Sequence, residues 1–398
     1  GASHGRGMTS SLGRSRAAVV MAFVVNGVMF GSWASRIPAI KEQAGLDSVH
    51  LGFALLGAPL GAVLAMTFAG YVAGRIGSRT VVWLMLLVCA ATLPAIAASM
   101  SFIALAGSLF VYGAAQGSMD VCMNANGLAI ERAGTKPIMS RLHASWSIGS
   151  FIGAFSTTMA LQAGLSVFQQ FVVLAVAMAG SAAILSRTML WEKHAAEGPV
   201  FRRPPRRLIL IGFVAMCGLV AEGSTGDWSG VLIKDNLGGS AQDAAIAITV
   251  FSAAMAAARL AGDRLTEIWG AARLVSLGAA VSAVGLASAL VIAQPLAAIV
   301  GFAFLGLGVA ATNPIALRAG GSQPGIASGV GIAAVATMGS VGVMAGPPLI
   351  GTVAGVVGLR AALVMIVVLL VVLAATAGRA LGSSPLTVPE PAIPTELR

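Results

Sequence analysis

A few acids and amides interrupt long runs of apolar residues in this chain, and they are the side chains through which it can do chemistry. Asp120 stands inside one such run with Asn124 one helical turn further on; Gly113, Gln116 and Gly117 lie on about the same helix face. Glu222 stands inside another run, with Asp227 and Trp228 more than a turn beyond it and glycines at 218, 223, 226 and 230 thinning the segment. Asn26 is central in the first run, Asn313 adjoins Pro314, and His143 opens a run near its end. An ionisable side chain in the middle of a membrane helix costs ~2.5–3.5 kcal/mol on insertion scales, so such groups face a cavity or a partner rather than lipid. Two chemistries fit: exchange of a proton, and hydrogen bonding to a polar solute. Asp120 reads as the proton carrier, against the alternative of a carboxylate tied permanently to an arginine or to backbone donors. The sequence sets no arginine in the centre of a span to tie it. Glu222 reads as a group that meets solute hydroxyls or amines or shares the proton, against a helix-packing hydrogen bond. Asp227 is expected to pair with Arg36 at the matching end of the first run, as a gate or as an ordinary surface pair. Trp33, Trp146 and Trp228 offer faces on which a sugar-like ring could stack, although packing accounts for them equally well. His143 fits a proton relay or, more simply, an interfacial hydrogen bond.

Other chemistries find no residues. The three cysteines, Cys89, Cys122 and Cys217, all fall in apolar runs, so neither a disulfide framework nor a metal centre is expected. No serine has a convincing histidine and acid partner, and no Gly-Lys-Ser/Thr loop cradles a phosphate, so catalysis and direct ATP drive are not expected. The expected energy source is a proton gradient, with no bound cofactor.

The elements that position these residues are membrane helices. Of 398 residues 57% are hydrophobic and 10% charged, well below the charge of a soluble domain. Fifty glycines and two tyrosines suit closely packed helices rather than a barrel girdled by aromatic residues. Apolar runs of spanning length fall near 16–36, 50–74, 80–98, 102–130, 141–164, 167–190, 207–233, 242–262, 272–293, 295–317, 325–354 and 357–379. With the N-terminus placed in the cytoplasm, 20 of the 24 Lys and Arg fall on that side, and only Arg36, Lys41, Lys234 and Arg360 on the other. The asymmetry predicts both termini in the cytoplasm and explains the net charge of +10 without nucleic acid. The expected organisation is a cytoplasmic segment 1–15, a six-helix bundle 16–190, a basic linker 191–206, a second six-helix bundle 207–380 and a disordered tail 381–398. Residues 1–7 precede Met8 and are expected to lie ahead of the native start; no cleavable signal peptide is apparent. Gly149-x-x-x-Gly153 and the segment 339–348 read as close-packing helix surfaces, and Pro347 and Pro348 as a kink.

The halves repeat at an offset near 190–195. GSWAS (31–35) aligns with GDWSG (226–230), IGS (148–150) with MGS (338–340), and the Gly/Arg turn GYVAGRIGSR (70–79) with RLAGDRLTEIWGAAR (259–273). Twelve spans as six plus six, a basic middle loop and Gly/Arg turns after spans two and eight resemble the major facilitator superfamily over about 16–380. The first copy of the signature turn carries Gly74 where an acid is usual; the second keeps Asp263. NGVMFGSWASRIP (26–38), GSMDVCMNANGLAIE (117–131), LHASWSIGSFIGAF (142–155) and AEGSTGDWSGVLIK (221–234) resemble the fucose-permease-like branch, where span four carries an acid a few residues before an Asn, as Asp120 and Asn124 do here. No acid stands in 16–36, where Asn26 and Arg36 are the polar positions.

The resemblance implies an all-α membrane protein of twelve transmembrane helices in two pseudo-symmetric six-helix bundles. It also implies that spans one, four, seven and ten line a central cavity. Asn26, Trp33, Asn124, Glu222 and Asn313 would then bind solute and Asp120 and Glu222 would handle the proton. Arg36, Asp227, Arg75, Asp263 and Arg264 would serve as gating charges. The function expected is secondary transport of a small polar solute by alternating access, as a monomer in the inner or plasma membrane. The alternatives are efflux of lipophilic compounds on the same fold and a membrane receptor without a transport cycle.

Overall fold

The computed structural model describes residues 2–133, 138–189, 206–324, 326 and 328–382, and every regular element among them is helical. The first half contains α1 (Ala2–Gln43), α2 (Ser48–Leu55), α3 (Gly57–Ile76), α4 (Ser78–Ala97), α5 (Phe102–Ala133), α6 (Met139–Gln162) and α7 (Val167–Thr188). The second contains α8 (Arg206–Val231), which runs into a π-turn at Leu232–Asn236, then α9 (Ala241–Trp269), α10 (Ala271–Ile292), α11 (Pro295–Val309), α12 (Thr312–Gly321), α13 (Ser328–Val357), α14 (Leu359–Ala362) and α15 (Val364–Leu381). Apart from Arg206, the expected linker 191–206 lies outside the described residues, as does the tail beyond 382.

These helices make twelve membrane-length segments, because α2 with α3, α11 with α12 and α14 with α15 each form one crossing. Eleven of the twelve are apolar enough over a spanning window to cross on composition alone. The twelfth, α6, has the length but carries His143, Ser147, Ser150, Thr157 and Thr158, of which all but the histidine are buried. Its polar face is turned into the protein, which is why hydropathy alone underrates it.

Three boundaries differ from expectation. The helix preceding the first crossing starts at Ala2 rather than after a separate segment ending at 15. Spans two and ten are broken, at Leu56 and at Ala310–Ala311. Span eight, expected to end at 262, continues as α9 to Trp269, so the Gly/Arg turns contract to single residues, Gly77 and Gly270. Both adopt φ near +80° (87° and 78°), a conformation that only glycine takes without strain, and each ends one helix and starts the next. Pro347 and Pro348 sit within a continuous α13.

The two halves use the same neighbour scheme. In the first, α1 packs on α6, α3 and α4 pack on α5, and α4 packs on α7; in the second, α8 packs on α13, α9 and α10 on α11, and α10 on α15. Close approach comes from glycine. A Cβ on Gly149 or Gly153 of α6 would run into the carbonyl oxygens of Val24 and Val28 of α1. At the aligned position of the second half, Gly339 of α13 receives the Leu219 side chain of α8.

At the end away from the termini the halves are welded together. Lys41 pairs with Asp235 at 2.6 Å and Lys234 with Glu42, both across the halves. Beneath them Pro38 sits on Gly230, Phe30 on Gly226, and Gly52 of α2 against Pro347 and Gly351 of α13. One hydrophobic core joins the first half to this end of the second, through Trp228, Val231, Ile233, Phe302 and Ile350. Toward the termini the second half keeps a separate core around Leu208, Ile211, Val275, Ile315 and Leu373. The molecule is sealed at one end and divided at the other.

Candidate solute-binding cavity

Between the halves lies a cavity of about 410 Å³, lined from α1, α2, α3, α5, α6, α8 and α13. Its side chains fall into two layers. Trp33, Tyr112, Asp227 and Pro347 each stand nine or ten residues from the sealed end of their helices, about 15 Å at 1.5 Å per residue. Asn26, Gln116, Asp120, Trp146 and Glu222 lie deeper, fourteen to eighteen residues from that end, or about 20–27 Å. The helix rise thus sets an outer aromatic layer with one acid above an inner layer of amides and acids.

The inner layer is a hydrogen-bonded set with spare capacity. Asn26, 2% exposed, accepts at Oδ1 from Gln116 Nε2 (3.3 Å) and from Trp146 Nε1 (3.0 Å), which ties α1, α5 and α6 together. Its own amide donors remain available. Asp120 accepts one bond, from Asn124 Nδ2 at 3.2 Å, and the same Nδ2 also reaches the Asp120 carbonyl at 2.8 Å. Among the described residues no cation pairs with Asp120. Two lone-pair faces of its carboxyl are left for a proton or a solute.

Glu222 is held differently. Arg259 of α9 approaches it with Nη2 at 3.1 and 3.3 Å from the two carboxylate oxygens, and both side chains are nearly buried, 12% and 13% exposed. The same guanidinium donates through Nη1 to Ser147 Oγ at 2.6 Å, through Nε to the Ala310 carbonyl at 3.5 Å, and lies 5.7 Å from the Trp146 ring. It therefore joins α8, α6 and the break in span ten. The break exposes the Ala310 carbonyl, and a cation is the natural partner for such a group. This arginine overturns the expectation that no central arginine is present and that 259 belongs to a turn. The helix-packing role weighed for Glu222 is realised, while the residue also lines the cavity.

The other expected site residues divide. Asn26, Trp33, Asp120, Glu222 and Asp227 line the one cavity. Asn124 supports Asp120 from behind, and Asn313 of α12 is half-buried and outside the lining. Trp146 lines the cavity, but Trp228 is fully buried in the core at the sealed end. Arg36 does not meet Asp227. It donates to Gln170 Oε1 (2.6 Å) and to the Leu165 carbonyl (2.9 Å), inside the first half, because α7 and its preceding turn offer acceptors close to its helix. Among the described residues the ion pairs that bridge the halves are Lys41 with Asp235 and Lys234 with Glu42 instead. Arg75 lies over the Tyr71 ring at 4.6 Å, and Asp263 accepts from Arg318 at 3.3 Å, each within its own half. His143 packs edge-on against Phe23. Tyr112 in the lining and Arg259 behind Glu222 are positions the sequence did not single out. The run 242–262 already contains Arg259, but reading 259–273 as a turn hid it; α9 runs on to Trp269 and leaves Arg259 well inside the span.

Comparison with known proteins settles what kind of molecule carries this cavity. An uncharacterized MFS-type transporter of Yersinia pestis is 32% identical over 360 residues, covering 90% of this chain and 93% of that one. This chain belongs to the major facilitator superfamily. Residues 208–397 match the Major Facilitator Superfamily profile. An uncharacterized transporter of Sinorhizobium fredii is 30% identical, covering 87% of this chain and 96% of that one. The membrane protein MosC of Rhizobium meliloti is 29% identical, covering 90% and 88%. Among solved structures, the nucleoside transporter NupG superposes with a TM-score of 0.74 at 14% identity, over 92% of this chain and 99% of that one. A bacterial homologue of the human lysosomal transporter Spinster, in an inward-facing and unoccupied conformation, gives 0.69 at 14%, over 96% and 99%. At such identity these two show the fold. As a major facilitator superfamily member the chain is a multi-pass membrane protein and a secondary transporter, which sits in the bilayer and binds a small-molecule solute.

Proposed function

We propose that this chain moves a small polar solute by alternating access, coupled to protons, with Asp120 as the proton-carrying group and Asn26, Gln116 and Glu222 as solute partners. The observation that carries the reading is Asp120: a membrane-embedded carboxyl lining the cavity between the halves, with one amide donor and, among the described residues, no cation as partners. A permanent charge in that position is costly, and a proton that joins and leaves with the cavity's exposure removes the cost. The sealed end with its cross-half ion pairs, and the divided core toward the termini, support one state of a rocking cycle. With both termini in the cytoplasm of the inner or plasma membrane, as the Lys and Arg distribution favours, that state faces inward. The segments 26–38, 117–131, 142–155 and 221–234 favour the fucose-permease-like branch. The amides and acids of the inner layer favour a polar solute over lipophilic drugs, and the nucleoside transporter among the structural relatives adds nucleosides to the solutes worth trying.

The test is solute-induced proton movement in proteoliposomes loaded with a pH-sensitive dye, using a panel of sugars, amines and nucleosides. For any solute that responds, Asp120→Asn is expected to cut accumulation driven by a pH gradient at least tenfold while leaving counterflow exchange within about twofold. The amide keeps the shape and cannot carry the proton. Unchanged pH-driven accumulation in that variant removes Asp120 from coupling, and binding without any flux favours a receptor.

A further inference from the structure

The outer layer holds an acid that the proposed cycle does not use. Asp227 lines the cavity, half-buried and, among the described residues, without a hydrogen bond or a cation. The nearby cations are committed elsewhere. Arg36 is spent on Gln170 and Leu165 inside the first half, Arg259 on Glu222 one layer deeper, and Lys41 and Lys234 on Asp235 and Glu42 at the sealed end. At the same depth Tyr112 is 3% exposed, and among the described residues its hydroxyl has no hydrogen-bond partner. A buried phenol oxygen without a partner is costly in a protein interior, so its persistence beside a cavity points to a bond made by the cavity's occupant. Trp33 completes the layer, and its ring face attracts a cation brought against it.

We infer that Asp227, Tyr112 and Trp33 form an ammonium-binding subsite, so that the transported solute is a small hydroxylated amine carrying one positive charge. The inference rests on the reading of this cavity as the solute site and adds the class of solute. The charges balance. Arg259 neutralises Glu222, which leaves Asp120 for the coupling proton and Asp227 for the solute's ammonium group. Its hydroxyls then face Asn26 and Gln116 in the layer below. A neutral solute would leave the membrane-embedded Asp227 carboxylate without a counter-charge toward the sealed end of the cavity. The carboxylate and aromatic faces supply the cation's partners, and the Tyr112 oxygen accepts from the amine or donates to an adjacent hydroxyl.

Matched pairs that differ in one amine test this on the purified full-length protein: glucosamine against glucose and N-acetylglucosamine, serinol against glycerol, and ethanolamine against ethylene glycol. Binding is read by thermal shift and titration calorimetry, and counterflow in proteoliposomes is read alongside. Glucosamine or one of the smaller amines is expected to bind at least tenfold more tightly than its neutral counterpart. Asp227→Asn is expected to erase that preference, and Tyr112→Phe to weaken amine binding severalfold without touching the fold. Equal binding of amine and neutral members by the wild-type protein overturns the subsite, and needs no variant. An amine preference that survives Asp227→Asn overturns it as well. Exchange of neutral solutes with no preference for amines sinks this inference and leaves the transport reading standing; absence of binding and exchange with every probe counts against both.

Discussion

Arg259 stands behind the cavity wall and ties two of its lining residues, Glu222 and Trp146, to the surrounding helices. It touches a carboxylate, a hydroxyl, a main-chain carbonyl and an indole from two other helices and the break in span ten, and it does so almost out of reach of water. Breaking a buried pair from one side leaves an uncompensated charge, at a cost of ~3–5 kcal/mol, whereas removing both members costs far less. Arg259→Gln and Glu222→Gln are each expected to lower the midpoint of thermal unfolding in detergent by several degrees. The double variant should recover much of the loss. Additive losses in a double-mutant cycle would mean that the two side chains do not act as a pair. Asp120 shows the opposite design, since its fold role is small and its partners few. Its substitution is therefore expected to change coupling and leave stability nearly untouched.

At the scale of elements, the cavity depends on how closely α1 and α6 approach. Trp146 and Asn26 can bond only because Gly149 and Gly153 let the two backbones nearly touch at Val24 and Val28, a turn or so away. The α6 helix carries this seam on one face. On another it meets α9 across the halves, where Ser150 and Ser252 share a hydrogen bond of 2.8 Å. Gly153→Val puts two methyl groups where the Val28 carbonyl stands, and the backbones cannot part without moving Asn26. Overpacking of this kind costs ~1–3 kcal/mol or more. The variant is expected to give a reduced monodisperse fraction on size-exclusion chromatography and a lower unfolding midpoint. Gly180, whose added Cβ would meet nothing within 4 Å, should accept alanine without loss. Equal behaviour of the two variants would remove the seam from the argument.

For the whole molecule, the state adopted is a balance between the sealed end and the divided one. Lys41 with Asp235 and Lys234 with Glu42 lie at the rim of the sealed end, where salt screens them and each contributes little alone. Together they bias a two-state equilibrium that rests on packing beneath, at Pro38 on Gly230 and Gly52 on Gly351. Lys41→Ala with Lys234→Ala is expected to shift the population toward opening there. A cysteine placed at Leu55, in a background lacking Cys89, Cys122 and Cys217, should then react severalfold faster with an impermeant maleimide added from the Lys41 side. Raising the salt should move the unmodified rim in the same direction. No change in reactivity under either condition would leave the packing alone to hold the end shut.

What the sequence determined by itself was what lipid forces on a chain. Twelve crossings, the six-plus-six repeat and the few polar groups inside them follow from the cost of placing charge or bare backbone in hydrocarbon, and that cost acts residue by residue. Asp120, Glu222 and Asn26 were legible for that reason. Partnership was not, because it depends on which faces of distant helices meet. Asp227 and Arg36 looked matched by depth, yet Arg36 found nearer acceptors in its own half at Gln170 and Leu165. Arg259 looked like the start of a turn, but α9 continues to Trp269, and the packing of α9 on α8 sets Arg259 against Glu222. Which end closed, and which acids kept a free face toward the cavity, was decided only when two six-helix bundles leaned together, since a contact between residues far apart in the chain leaves no mark on either local sequence.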